Sequence, residues 1–299
     1  MSTVVMMQLL LVALALVMTG LGMSLQRADF VRLLTLKRAV ALALCVQMLV
    51  LPAVALALAY GFDLPPPFAI GLLLLAATPG SISANLFSHL FGGAVALNIS
   101  LSGINTLLAA VTLPLVCGWS MQHFSEVGQT VPPLFGKVAE IIAIIVGPVT
   151  VGMLVRGFAP RFTQRAERPM RLVSASVLAF FVVAAIAKEW QALVSGFGQV
   201  GGAVVAFNVL SLAAGYGTSR VLAFDRPTSI SITFQVSIHN AVLAIYVAMT
   251  VLEQPLMALP AAVYSVTMNL LAFGFGLWVA PRRIARAAAP AVQPARRPA

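Results

Sequence analysis

Pro79-Gly80-Ser81-Ile82-Ser83-Ala84-Asn85 and Gln235-Val236-Ser237-Ile238-His239-Asn240 are polar interruptions inside runs otherwise apolar enough for lipid. Backbone and amide groups at membrane depth find no water. They must be satisfied by protein, by a cavity, or by a bound solute and ion. Two broken spans in corresponding halves of one chain are the pattern of a carrier with its site near the bilayer midplane.

The rest of the chain fits that setting. It has 299 residues, 61% of them hydrophobic and only 9% charged. A soluble chain carries roughly a quarter charged residues because its surface must be wetted. Here nearly every window of about 20 residues is apolar enough to cross a hydrocarbon core about 30 Å thick. The reading is an integral membrane protein, expected in a bacterial inner or plasma membrane, with no soluble domain. Cys45 and Cys117 both fall inside apolar runs, where a thiol behaves as a small hydrophobe rather than a metal ligand or disulfide partner. Met1-Ser2-Thr3 leads straight into an apolar run without a basic region or cleavage site, so the first span is read as retained.

Apolar length and breaks predict nine spans, at about residues 4–24, 39–61, 66–91, 94–118, 136–157, 170–189, 196–222, 226–252 and 258–281. With the loop after the first span in the cytoplasm, all 18 Lys and Arg residues fall inside except Lys137 and Lys188. An error of one span would scramble that sorting. It therefore supports an external N-terminus and a basic cytoplasmic tail at 282–299. The net charge of +10 is explained by topology. Nucleic-acid binding would need a basic face outside the membrane, and none is predicted.

The halves match in order and polarity. Spans two to four (39–118) and seven to nine (196–281) each carry the interrupted span in the middle, and they enter the membrane from opposite sides. The expected architecture is an all-α polytopic protein with an inverted-topology repeat and two broken, crossing helices.

Specific residues then resemble a known family. Pro79-Gly80-Ser81 through Asn85, Gly93-Ala94-Val95-Ala96-Leu97-Asn98 and Thr106-Leu107-Leu108 are similar to the fourth and fifth helices of the bile acid:sodium symporter family. Gln47 before Pro52, Asp63-Leu64-Pro65, His239-Asn240 and Tyr264-Ser265-Val266 through Asn269 extend the likeness along the chain. The resemblance implies five-helix repeats forming a panel and a core, with one helix fewer than the family's usual ten. The panel would be spans 4–24, 136–157 and 170–189, and the core 39–118 and 196–281.

The same resemblance implies two sodium positions. One would involve Ala84, Asn85, Asn98 and Ser102, and the other Gln47, Gln235, Val236, Ile238 and His239. Three residues depart from the family pattern. Gln235 stands where a glutamate shared by both ions is expected, Ala84 replaces a hydroxyl, and His239 replaces a glutamine. All eight acids fall in loops or near span ends. Neutral oxygens can hold a hard monovalent cation, but stripping its water without a nearby anion costs several kcal/mol more. Sodium dependence is therefore expected to be weak or absent.

His239 is the one midmembrane side chain with an ordinary pKa of about 6.5, so a proton is the rival coupling ion. The plainer role is a neutral imidazole holding Gln235 or a backbone carbonyl freed by the break. No cofactor is expected beyond sodium or a proton. Half-helix N-termini favour an anion. Ser81, Ser83, Asn240, Thr267 and Asn269 are the candidate donors to a bile-acid-like or pantoate-like carboxylate, with Phe87, Phe234 and Met268 as an apolar wall. Gly71, Gly103 and Gly152 are expected at close helix contacts, and Asn105, Asn208 and Ser265 between helices. The expected partners are a small organic anion and the bilayer, and no nucleic acid. Without a phosphate loop, paired acids or an activated nucleophile, the chain is read as no enzyme. The alternatives are an arsenite or auxin-type carrier of the same architecture and a non-transporting receptor or assembly protein.

Overall fold

A computed structural model describes residues 3–124, 134–163, 165 and 190–279. The expected sixth span at 170–189 and the tail at 282–299 lie outside the described residues. Every element is a helix among them: α1 (Thr3–Ser24), α2 (Arg27–Thr35), α3 (Lys37–Gly61), α4 (Pro66–Ala77), α5 (Ile82–Phe91), α6 (Val95–Phe124), α7 (Leu134–Phe158), α8 (Trp190–Val221), α9 (Arg226–Ser237), α10 (Ala241–Val251) and α11 (Leu259–Val279). Five helical segments are long and apolar enough to cross a bilayer: Lys37–Gly61, Val95–Phe124, Lys137–Phe158, Phe197–Val221 and Pro255–Val279. The described residues thus form the all-α fold of an integral membrane protein. The short α2 was not anticipated.

Prolines and caps explain where the helices bend and stop. Pro52 has no N–H and its ring crowds the carbonyl four residues back, and the turn just before it, Val46–Val50, widens to π geometry. That widening turns Gln47 inward, where it is buried. Pro114 and Pro148 sit inside α6 and α7 without ending them.

The first expected interruption is a true break. Thr78 precedes a proline and is extended (ψ 149°), which stops α4, and α5 starts two residues after Gly80 with Ser81 as its cap. The second break has neither proline nor glycine. Asn240 makes it, by accepting the Leu243 N–H on its Oδ1 at 3.1 Å and so opening α10 as a new helix.

Two three-element runs repeat the same order: α3, α4–α5, α6 and α8, α9–α10, α11. All four positive-φ residues among those described sit in their connections, Asp63 and Gly92 in the first and Ala223 and Glu253 in the second. A left-handed residue closes each of these helix ends.

Both inner half-helices are buried on every side, α4 from Phe68 to Ala76 and α9 from Ser229 to Ser237. In α9 the buried hydroxyls bond within the protein. Ser229 and Thr233 donate to carbonyls four residues back at 3.0 and 2.7 Å, and Ser231 pairs with Ser88 of α5 at 2.7 Å. Small residues set the closest crossings. A Cβ on Gly152 of α7 would lie 2.9 Å from the Gly22 Cα of α1, one on Gly71 3.0 Å from the Met257 carbonyl carbon, and one on Gly103 2.6 Å from Leu25.

Candidate functional site

The two breaks meet. Gly80 and His239 face each other as an isolated antiparallel bridge. The Ser81 N–H donates to the Ile238 carbonyl at 2.7 Å, and the Asn240 N–H donates to the Pro79 carbonyl at 2.9 Å. Groups freed by one broken helix are satisfied by the other, which is how irregular backbone survives at membrane depth. Gly80 is required by proximity, since a Cβ there would lie 2.6 Å from the Gln235 carbonyl oxygen.

Polar side chains converge around that bridge. Gln47 Nε2 donates to the Thr78 carbonyl at 3.0 Å and lies 3.3 Å from His239 Nδ1, which is itself 3.3 Å from the Thr78 carbonyl. Ser102 Oγ donates to Gln235 Oε1 at 2.9 Å, and Asn98 lies one turn earlier on the same face of α6. Gln47, Asn98, Ser102, Gln235, His239 and Asn240 are each at most 5% exposed.

Several buried polar atoms here have no protein partner. They are Gln47 Oε1, Asn85 Oδ1, both amide atoms of Asn98, Gln235 Nε2, Ser237 Oγ and His239 Nε2. Each such group carries a desolvation cost of about 1–3 kcal/mol unless something satisfies it. The oxygens among them are neutral and hard, which suits a monovalent cation by donor type. Turning the Gln235 amide by half a turn puts an oxygen where its free nitrogen now stands, with Ser102 then accepting. Among the described residues, no carboxylate hydrogen-bonds to these groups, and no cluster of three His, Cys, Asp or Glu able to hold a metal occurs.

The remaining sequence candidates are placed unevenly. Ala84 is fully buried and has no side-chain oxygen, while Val236 and Ile238 are buried apolar residues, with the Ile238 carbonyl already engaged by Ser81. Ser81 is half-buried and caps α5 by accepting the Ser83 N–H at 3.4 Å. Thr267 and Asn269 spend their polar atoms on α8 and α11. Thr267 bonds to the Val263 and Tyr264 carbonyls at 3.3 Å and accepts from Asn208, and the exposed Asn269 donates to the Ser265 carbonyl at 2.9 Å. Phe234 does not form a solute-facing wall: it is fully buried, within 5.6–5.9 Å of the rings of Phe87, Phe91 and Phe275. The meeting of the breaks is also closed by protein rather than open to water, with His239 fully buried.

Two participants were not assigned from sequence. The Tyr264 hydroxyl donates to the Ser237 carbonyl, the last of α9, at 2.6 Å, and the rings of Tyr264 and Phe207 each stand 5.5 Å from His239. The Thr78 carbonyl accepts from Gln47 and lies 3.3 Å from His239 Nδ1. A residue before proline is pushed out of the helical region, which frees its carbonyl, and that rule marks Thr78 from sequence alone. Nothing in the sequence marked the hydroxyl of Tyr264.

The chain is 29% identical over 259 residues, 86% of its length and 78% of the relative's, to the uncharacterized sodium-dependent transporter YocS of Bacillus subtilis (strain 168). It is 28% identical to the probable chloroplastic sodium/metabolite cotransporter BASS2 of Oryza sativa subsp. japonica, covering 87% of this chain and 61% of that protein. It is 25% identical to the corresponding BASS1 of Arabidopsis thaliana, covering 90% and 66%. The chain thus spans less than two thirds of the two chloroplastic relatives. Residues 11–196, which include the first break and Gln47, Asn85, Asn98 and Ser102, match the Sodium Bile acid symporter family, and on that match the chain belongs to this family of membrane transporters.

Proposed function

We propose that this protein is a secondary transporter that moves a small organic anion by alternating access around the crossed breaks. The observation that carries the reading is the reciprocal pairing of two broken spans, Ser81 to Ile238 and Asn240 to Pro79, ringed by buried polar atoms that lack partners. The half-helices α5 and α10 both start at the pairing, so their positive N-terminal ends converge there, which favours a carboxylate. Ser81, Ser83 and Asn240 stand at those ends.

The repeated order of α3–α6 and α8–α11, with matching left-handed closures, supports an inverted-topology repeat. Those two runs form the core in this reading, and α1, α7 and residues 170–189 the panel it moves against. The N-terminus is outside and the tail cytoplasmic.

Sodium is the coupling ion suggested by the relatives' names, and Gln47, Asn85, Asn98 and Ser102 offer it neutral oxygens. With Gln235 in place of an acid, cation binding is weakened, because no charge offsets the ion's lost hydration. The test is uptake of labelled organic carboxylates into proteoliposomes across a grid of sodium gradient and pH. Flux with a shallow sodium dependence is expected. A steep dependence would refute the weakened coupling, and no flux for any anion would favour a non-transporting receptor.

A further inference from the structure

We propose that the end of the molecule carrying α2 is a binding surface for anionic phospholipid headgroups. α2 shows apolar side chains outward, with Val31 and Leu34 exposed at 60% and 68%. Its one acid is buried and spent internally: Asp29 accepts from the Gln26 N–H at 2.8 Å and from Arg32 at 2.7 Å. The Arg32 guanidinium also lies 3.4 Å from the Ala96 carbonyl, which fastens α2 to the start of α6.

Exposed cations gather beside it, and among the described residues none of them forms a salt bridge. Lys37 and Arg38 open α3, and Arg38 lies over the Phe224 ring at 5.7 Å, so this patch is continuous with the turn between α8 and α9. Arg220 and Arg226 are exposed on either side of that turn, where Asp225 is the only acid. The Ala94 N–H donates to the Pro227 carbonyl at 3.1 Å, closing the α5–α6 connection against the same turn.

Exposed apolar side chains next to exposed cations match the boundary between acyl chains and phosphates. Val31 and Leu34 enter the former while Lys37, Arg38 and Arg226 meet the latter. The chain's own Arg-rich residues 282–297 carry the same sign as this face, so they are not its complement.

The test uses the full chain in phosphatidylcholine nanodiscs, with or without one lipid in five replaced by phosphatidylglycerol. Its readout is the unfolding midpoint, which needs no transport and so stands apart from the functional proposal. Phosphatidylglycerol is expected to raise the midpoint by about 4 °C or more at low salt, with the gain lost at high salt. The double variant Lys37→Gln/Arg38→Gln should lose at least half of that gain, and Lys37→Arg/Arg38→Lys should keep it. Arg226→Gln provides a second variant on the far side of Phe224. Equal midpoints in the two lipids, or a full gain in both neutralised variants, would overturn the proposal.

Discussion

Gly80 and His239 belong to different broken spans yet sit directly opposite one another, paired as an antiparallel bridge at the centre of the fold. The first contributes its lack of a side chain and the second its imidazole. A Cβ on residue 80 would lie 2.6 Å from the Gln235 carbonyl oxygen and 2.8 Å from its side-chain Cδ. Backbone cannot yield as a flexible side chain can. Gly80→Ala is therefore expected to destabilise by about 2 kcal/mol or more, read as a lowered unfolding midpoint in detergent. Gly61→Ala is the matched control, since nothing stands within 4 Å of a Cβ there, and its midpoint should hold or rise slightly.

Tyr264→Phe removes the hydroxyl that donates to the Ser237 carbonyl at 2.6 Å and leaves the ring in place. The carbonyl is then buried with one partner fewer at the very point where α9 stops. A loss of about 1–2 kcal/mol is expected, and solute uptake should fall further than the midpoint alone accounts for, because the break is no longer held. Uptake unchanged at unchanged stability would show the hydroxyl to be dispensable.

His239→Gln separates two roles for one side chain. His239 Nδ1 lies 3.3 Å from both Gln47 Nε2 and the Thr78 carbonyl, so a neutral imidazole either accepts from the first or donates to the second, and a glutamine amide can do the same. Among the described residues, no carboxylate hydrogen-bonds to it to hold a charged form. The pH profile of uptake between about pH 6 and 8 should therefore survive the substitution, with the midpoint within about 1 kcal/mol of the parent. A pH dependence present in the parent and abolished in the variant would identify the imidazole as the proton carrier.

The first break was legible in the sequence because its chemistry is local. Thr78 before Pro79 cannot stay helical, Gly80 admits the opposing backbone, and Ser81 caps α5. The second was legible only as polarity, since Ile238-His239-Asn240 contains no helix breaker, and Asn240 ends one helix by capping the next. The inward aim of Gln47 depends on the π turn before Pro52, which no apolar period reports. Residue type singles out Thr267 and Asn269 on a span where type does not fix facing. Their polar atoms turn out to serve α11 and Asn208. The short α2 is not legible in the sequence because it lies between two spans, and its helix depends on the long-range tie from Arg32 to Ala96 as well as the local cap from Asp29.

Gln235→Glu tests why this chain tolerates a neutral crossing. Gln235 is 1% exposed, its Oε1 accepts from Ser102, and its Nε2 has no partner. A carboxylate placed there keeps the Ser102 bond but brings a buried charge with no counterion, a cost of several kcal/mol while the site holds no cation. The variant should unfold at a markedly lower midpoint in choline chloride than the parent. Sodium should restore most of that loss, because an ion bound only by the folded protein stabilises it by mass action. The parent, lacking the charge, should show little difference between the two salts. If sodium fails to rescue the variant while its circular dichroism stays that of the parent, then Gln47, Asn98 and Ser102 do not form a cation site around residue 235.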